Sequence, residues 1–201
     1  MKSRSNAAEV FASELPDEPR TSASTVDEAR VRAMIDEFFD TVYYALRRVG
    51  VPPGDLEDCT QEVFIIASNK LPVIIPGRER AFLLGVALRV AAHTRRRLRR
   101  FPMFSNDESA YATWEDPSLR PDEEMELRRR RALVDQVLKK MSEDLRNVFI
   151  LFEIEELTML EIASALELPS GTVASRLRRA REEFTRIANR EMARSEGGRN
   201  A

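Results

Sequence analysis

Residues 157–181 read LTMLEIASALELPSGTVASRLRRAR, and they contain the clearest structural pattern in the chain. Thr158, followed three residues later by Glu161, matches a capping box and predicts that a helix begins here and continues to about Leu166. A break at 167–169 precedes Ser170, which can cap a last helix that we expect to end near residue 190. Two capped helices joined by so short a turn are typical of a helix-turn-helix.

The last helix of this motif has two chemically different faces. At the helical repeat, one side collects the apolar residues Val173, Leu177, Ala180 and Phe184, which predicts that this side packs on the protein. The residues expected to contact a DNA duplex are Ser170, Thr172, Ser175, Arg176, Arg178 and Arg179. An arginine fork matches guanine O6 and N7 in the major groove, and the amides at the helix start suit a phosphate. A basic helix alone could be a solvated surface, but here the cap, the turn and the preceding helix occur together.

The rest of the chain shows the apolar spacing of further helices. They are predicted over about 27–49, 55–70, 78–100, 123–141 and 143–153, with Asp55 and Ser142 as caps and Gly50 ending the first. No stretch alternates as strands do, so we expect an all-α fold.

Breaks in this spacing predict the domain organisation. Residues 1–26 and 191–201 are expected to be disordered tails. The proline-interrupted stretch 101–122 predicts a flexible linker, because so long an irregular segment is uncommon inside one domain. We therefore expect two small helical domains, 27–100 and 123–190.

Composition excludes several classes of protein. The formal net charge is −2, so the overall balance does not indicate nucleic acid, but arginines cluster at 95–100 and 176–181. One cysteine, Cys59, and one histidine, His93, cannot form a disulfide or a zinc cluster. Without a glycine-rich phosphate loop or a Ser/His/Asp set, we expect no enzyme, no catalytic residue, no cofactor and no metal. The lack of a long apolar run predicts a cytoplasmic protein that does not insert into a membrane.

Two motifs in this order carry a family resemblance. The stretch 157–181 resembles the fourth-domain helix-turn-helix of extracytoplasmic-function (ECF) RNA polymerase sigma factors of the sigma-70 family, especially at 171–173, 175–177 and 179–181. The sequences DLED at 55–58 and QEVF at 61–64 are similar to the polymerase-binding helix of the family's second domain. Together with the arginine-ended helix 82–100, the likeness covers about residues 30–185.

The resemblance implies a dissociable sigma subunit that binds core RNA polymerase and directs promoter-specific transcription initiation, with a sigma-2-like domain and a sigma-4-like domain. The last helix would read the −35 element as duplex. The loop 71–80 and the helix after it would hold the −10 element, with a flipped base in a pocket of the loop. The residues expected to contact this element are Arg78, Arg80, Phe82, Arg89, His93, Arg96 and Arg97. An anti-sigma factor is a further implied partner.

The resemblance also assigns an acidic surface to polymerase. The residues of this surface that would contact polymerase are Asp55, Asp58, Gln61 and Glu62. From the residues alone, acid at the start of a helix is explained equally well by the helix dipole.

The chain departs from the family pattern at several positions. Phe82, Arg89 and His93 stand where the family commonly has Trp, Asn and Asp, which leaves the preferred −10 sequence open. Glu167 stands where the turn usually has glycine; in a left-handed conformation it should cost on the order of 1 kcal/mol. An alternative function is a one-component dimeric helix-turn-helix regulator, which would bind palindromic half-sites about 34 Å apart.

Overall fold

The computed structural model describes the backbone of residues 22–100 and 121–197, and the side chains of residues 26–100 and 125–194. All regular structure in these ranges is helical, which confirms the all-α prediction. The helices are α1 (Ser22–Arg48), α2 (Leu56–Asn69), α3 (Glu79–Arg100), α4 (Pro121–Lys140), α5 (Glu143–Phe149), α6 (Met159–Leu166) and α7 (Ser170–Gly197). Two 3-10 turns at Pro53–Asp55 and Leu71–Val73 and a π-helical turn at Ile150–Ile154 stand between them.

The helix ends differ from the predicted domain boundaries. Helix α1 begins at Ser22, so residues 22–26 are helical although the sequence assigned them to a tail. Helix α7 continues to Gly197, beyond the predicted end near residue 190. A tertiary ion pair holds this extension, since Glu191 lies 2.6 Å from Lys140 of α4. The predicted linker lies outside the described residues except at 121–122, where α4 has already begun.

Helices α1, α2 and α3 pack together and form the first half of the molecule. The apolar side of α1 supplies much of its core, since Val42 and Leu46 are completely buried, and so is Val49 directly after the helix. Gly50 follows the helix with a φ of +92°, a left-handed conformation that only glycine adopts at no steric cost. The prediction that Gly50 ends this helix is therefore confirmed.

Helices α4 to α7 form the second half of the molecule. Phe149 of α5 and Phe184 of α7 stack with their ring centroids 4.5 Å apart. The single helix predicted over 143–153 is instead divided, because α5 ends at Phe149 and a π-helical turn follows. The backbone amide of Glu155 donates to the carbonyl of Ile150 at 2.9 Å, five residues back, which is the wider π-helical hydrogen bond.

The capping box predicted at Thr158 and Glu161 is present. Thr158 Oγ1 accepts a hydrogen bond from the amide of Glu161 at 3.3 Å, and the Glu161 carboxylate accepts one from the amide of Thr158 at 2.9 Å. The Thr158 hydroxyl, which donates to the same carboxylate at 2.7 Å, and the Thr158 amide lower the pKa of Glu161, because both hydrogen bonds favour its charged form. The start of α6 is thus fixed by local sequence, as predicted.

The other three predicted caps differ from the prediction, since Ser142 and Asp55 stand at the predicted positions without the cap hydrogen bond and Ser170 stands one position further on. The Ser142 hydroxyl stands at the N-cap position of α5 but donates to Glu183 at 3.2 Å. The Asp55 carboxylate precedes α2 but pairs with Arg97 at 2.7 Å. Ser170 is the first residue of α7 rather than the residue before it. For Ser142 and Asp55, a charge-assisted bond to a residue distant in sequence replaces the local bond, since such bonds are the stronger ones.

Glu167 ends α6 in the left-handed conformation, with φ 54° and ψ 43°, as expected from the sequence. Glu167→Gly should therefore raise the free energy of unfolding by about 1 kcal/mol, because glycine has no Cβ to strain. The exposed contact of Glu167 with Arg89, at 3.7 Å, contributes little. Chemical denaturation of the two proteins measures the difference. Glu167→Ala is the control, since it removes the carboxylate but keeps the Cβ; an equal gain with alanine would assign the effect to charge.

The two halves pack against each other, which the prediction of separate domains did not include. Their buried apolar residues form one continuous cluster. Gly85 lies within α3, and a Cβ at this position would be 3.0 Å from the carbonyl oxygen of Ala165 on α6. The absence of a side chain at Gly85 therefore lets α6 of the second half lie directly on α3 of the first.

Candidate nucleic-acid interface

Helix α7 has one buried apolar side and one exposed polar side. Val173 and Ala180 are completely buried and Leu177 is 5% exposed. Ser175, Arg178 and Arg179 lie on the exposed side. The structure thus brings together the three residues that the helical repeat placed on the DNA-facing side. The hydrogen bonds of Ser175 and Arg178 are made to residues of α7 itself.

The two arginines on this exposed side are weakly held. The Arg178 side chain is 71% exposed and pairs with Glu182, one turn along the same helix, at 2.8 Å. Exposed pairs of this kind contribute about 0.3–0.5 kcal/mol, so DNA can displace Glu182 at little cost. Arg179 is exposed and forms no ion pair with any residue in the described part of the chain.

The other residues predicted for this interface are less available. Arg176 is only 27% exposed and lies 2.9 Å from Asp144 of α5. Thr172 is half-buried, and its carbonyl accepts a hydrogen bond from the Ser175 hydroxyl at 2.9 Å. Ser170 is exposed at the first position of the helix. The accessible positive charge among the predicted residues is therefore concentrated on Arg178 and Arg179.

Sequence reasoning missed the structural role of Arg181. Its Nε lies 2.6 Å from Glu153, and its guanidinium lies over the Phe152 ring at 5.3 Å from the centroid. Both partners belong to the π-helical turn. Arg181 thus holds this turn against α7. The contact was not predicted because Arg181 and Glu153 are far apart in the sequence.

Three of the four residues predicted to bind polymerase form one exposed patch on α2. Asp58, Gln61 and Glu62 are exposed, one turn apart on the same side. Ile65 continues this side and is 59% exposed, although the sequence analysis did not single it out. Asp55 is separate from the patch, because its carboxylate is 23% exposed and paired with Arg97.

The residues predicted for the −10 element are spread over α3 and the turn before it. Those that are exposed are Arg78, Arg89, His93, Arg96 and Arg97. Phe82 is half-buried and packs on the core. In the preceding loop, Val73 and Ile75 are 69% and 62% exposed, a feature that the charge pattern did not indicate.

Arg80, which is also predicted for the −10 element, contacts the second half in the packed arrangement. Glu155 is 5% exposed and lies between two arginines of the first half, 3.0 Å from Arg48 and 2.9 Å from Arg80. Arg80 also donates to the backbone carbonyl of Glu155. Burial raises the pKa of Glu155, while the two arginines act in the opposite direction. We call Arg48, Arg80 and Glu155 the Glu155 triad.

Further polar contacts across the two halves accompany the triad. Asp135 of α4 lies 3.3 Å from Arg47, and burial raises the pKa of its carboxyl group. Glu143 of α5 pairs with Arg95 of α3. The carbonyl of Ala165 accepts a hydrogen bond from Arg89 at 3.3 Å. Arginines of the first half thus meet acceptors of the second half along the whole contact.

Two other kinds of site were sought in the described ranges. Residues 26–100 and 125–194 contain no group of three His, Cys, Asp or Glu side chains that could hold a metal ion. In the same part of the chain, no helix has the length and apolar character needed to cross a bilayer.

Comparison with known proteins identifies the second half and then the whole chain. Residues 131–184 match the family model described as Sigma-70, region 4. The chain is 32% identical over 142 residues to the ECF RNA polymerase sigma-E factor of Escherichia coli (strain K12), covering 66% of this chain and 73% of the relative. It is 31% identical over 147 residues to the RNA polymerase sigma factor NccH of Alcaligenes xylosoxydans xylosoxydans, covering 71% and 78%.

Solved structures show the same fold. CnrH in complex with the cytosolic domain of CnrY aligns with a TM-score of 0.58 and 23% identity, over 81% of this chain and 89% of that one. The sigma factor RpoE from Bartonella quintana, in complex with the anti-sigma factor NepR, aligns with a TM-score of 0.60 and 17% identity, over 79% and 96%. The exposed arginines of α7 lie within the matched region 4. From its sequence relatives, the chain belongs to the ECF RNA polymerase sigma factors of the sigma-70 family, the subunits that direct promoter-specific transcription.

Proposed function

We propose that this sigma factor reads the −35 element as duplex DNA with α7 and holds the −10 element with α3 and the loop before it. The observation that carries the proposal is the exposed side of α7, where Ser175, Arg178 and Arg179 stand opposite a completely buried apolar side. A rigid helix that presents arginines in this way suits the major groove.

The direct test adds the chain to core polymerase and measures transcription from a matching promoter. Promoter-specific transcripts that require the chain are the expected result. If the chain alone bound a palindromic duplex as a dimer and gave no such transcripts, the one-component regulator would be correct. That alternative is not favoured, since the sequence relatives are sigma factors.

The −10 role requires the two halves to separate. Arg80 and Arg89 both contact the second half in the packed arrangement. A cavity of about 280 Å³ beside the loop is lined by Ile75 and Phe82, but also by Ala165 of α6. We assign the flipped base of the −10 element to the loop side of this cavity, where stacking on an aromatic ring offsets the cost of unstacking the base. The second half therefore has to leave before the strand can enter.

We assign polymerase docking to the exposed patch Asp58, Gln61 and Glu62 of α2. Replacing Asp58 and Gln61 with alanine should weaken association with core polymerase and leave the melting temperature unchanged, since both side chains are exposed. A pull-down and a thermal melt on the same protein measure the two quantities.

Asp36→Ala is the control for this variant. It removes the same charge from an exposed position on α1. An equal loss of polymerase binding in the control would mean that a diffuse acidic field, rather than the patch on α2, attracts polymerase.

An anti-sigma factor is the further partner that we propose. In the two solved neighbours, CnrH is bound to the cytosolic domain of CnrY and RpoE to the anti-sigma factor NepR. The exposed patch of α2 and the exposed side of α7 are the surfaces that such a protein would have to cover. Purification from the native cell tests this; recovery of the chain only with polymerase, or alone, would count against it.

We further propose that the protein acts in the cytoplasm and without a catalytic, cofactor or metal site. A subunit that positions polymerase on DNA requires binding surfaces and no bond-making chemistry of its own. Cell fractionation tests the location, and recovery of the chain with the membrane fraction after a salt wash would contradict it.

A further inference from the structure

Arg30 of α1 holds the loop that precedes α3. Its guanidinium donates to the carbonyl of Leu71 at 3.4 Å, to the carbonyl of Ile74 at 2.7 Å and to the carboxylate of Glu79 at 2.9 Å. These acceptors stand at the start of the loop, in its middle and at the first residue of α3. A guanidinium suits such a contact because its donors point in fixed directions. One side chain of α1 thus fixes the loop along its whole length.

The other contacts of the loop are local or weak. Its backbone hydrogen bonds join residues three apart, as from the amide of Ile74 to the carbonyl of Leu71 at 3.1 Å. Leu71 and Ile74 are buried, but Val73 and Ile75 are 69% and 62% exposed. A segment that buries so little of its apolar surface opens easily unless other contacts hold it. The hydrogen bonds from Arg30 supply such contacts.

Glu79 connects Arg30 to the end of the loop. Its side chain is only 16% exposed. Burial acts to raise the pKa of Glu79, but hydrogen bonds from Arg30 and from the backbone at Glu79 and Gly77 lower it overall, so the carboxylate stays charged. The carboxylate therefore binds the guanidinium and the backbone of the loop at the same time.

The loop that Arg30 holds forms one wall of the cavity assigned to the flipped base of the −10 element. Ile74 and Ile75 line this cavity together with Phe82. Arg30 and Glu79 are not among its lining residues. Arg30 can therefore act on a base in the cavity only through the conformation of the loop.

We propose that Arg30 is a positioning residue for −10 recognition, which fixes the loop in the shape that accepts the flipped base and thereby sets the preference for that base. The inference rests on the proposed −10 role of this loop. A loop that is ordered before binding loses little conformational freedom when the base enters, so the contacts of the correct base are retained as affinity. A loose loop adapts to any base and distinguishes them less.

The first test is hydrogen exchange on the full chain, without polymerase or DNA. Arg30→Ala should speed exchange of the loop amides of Ile74 and Arg78 by about tenfold, which corresponds to the free energy of ordering about one residue. The central amides of α2 should keep their rates. Arg32→Ala is the matched control, since it removes the same charge from an exposed position of α1 and should change neither region. Unchanged loop exchange in Arg30→Ala, or an equal increase in α2, would overturn the inference.

The second test uses the chain assembled with core polymerase and promoters that differ by one base pair in the −10 element. Arg30→Ala should lower the preference for the correct base at the flipped position by about tenfold and leave the preference at the −35 element unchanged. Arg30→Lys keeps the charge and one donor group, so it should restore part of the preference. Arg32→Ala should behave as the unchanged chain.

Ile75→Ala separates failure of this inference from failure of the proposed function. Ile75 is exposed and lines the cavity, so its loss should lower the preference at the same position by direct contact. If Ile75→Ala lowers the preference and Arg30→Ala does not, the positioning role is wrong and the −10 role of the loop stands. If neither variant changes any −10 preference, the −10 role of the loop fails, and the inference fails with it.

Discussion

Replacing both Arg178 and Arg179 with alanine is expected to remove recognition of the −35 element and leave the fold intact. The two side chains are exposed, and the apolar side of α7 that holds the helix in place is unchanged. Each bidentate arginine–guanine contact contributes about 1–3 kcal/mol of discrimination, so losing two should reduce the preference for the correct −35 sequence by roughly 30-fold or more. Competition between the correct and an altered promoter for the reconstituted polymerase measures this preference.

Single variants separate the kinds of contact. Arg178→Ala should relax discrimination at one base pair, whereas Arg176→Ala should weaken all sequences evenly and flatten the salt dependence. The two variants should differ because the ion pair with Asp144 holds the Arg176 side chain at the flank of the exposed side of α7. Arg186→Ala, exposed further along α7, is the control. Identical behaviour of Arg178→Ala and Arg176→Ala would show that the assignment of faces is wrong.

Glu155→Arg is expected to separate the two halves. The change places a third guanidinium between Arg48 and Arg80, at a position where the native side chain is 5% exposed. Removing one partner of a buried ion pair costs about 3–5 kcal/mol, and reversing its charge adds repulsion. Small-angle scattering should show a larger radius of gyration at unchanged helix content. The variant should also bind a −10 single strand more tightly, because Arg80 becomes available.

The neighbouring residue provides a matched control. Glu156 is exposed, and Glu156→Arg makes the same change of charge one position away. This control should keep the native radius of gyration. An unchanged radius in Glu155→Arg itself would show that apolar packing around Gly85, rather than the Glu155 triad, holds the halves together.

The sequence predicted the features that depend on residues close together in the chain. The apolar repeat of α7 gave its buried and exposed sides, the pair Thr158 and Glu161 gave a helix start, and Gly50 gave a helix end. The left-handed backbone at Glu167 was also predictable, because the turn of a helix-turn-helix requires this conformation at that position.

Contacts between distant residues were not predictable in this way. The sequence predicts that the Ser142 hydroxyl caps its own helix, but the hydroxyl donates to the carboxylate of Glu183 on α7. The π-helical turn at Ile150–Ile154 leaves the apolar pattern readable as one α-helix, so periodicity does not reveal it. The contact of Arg80 with Glu155 was not predictable, because nothing in the sequence places Glu155 beside Arg80. The glycine at 85 was the one local sign that another helix approaches α3.

The ion pair between Arg97 and Asp55 links a residue that we propose for the −10 strand to one that the family resemblance proposes for polymerase, although Asp55 lies apart from the exposed patch of α2. If both proposals hold, polymerase that contacts Asp55 would release Arg97 for a phosphate, and DNA that contacts Arg97 would release Asp55. The two binding events would then reinforce each other. Thermodynamic reciprocity requires that each partner strengthen the binding of the other by the same factor. This pair of charges would then favour, by a modest free energy, the complex in which both partners are present over a complex with only one of them.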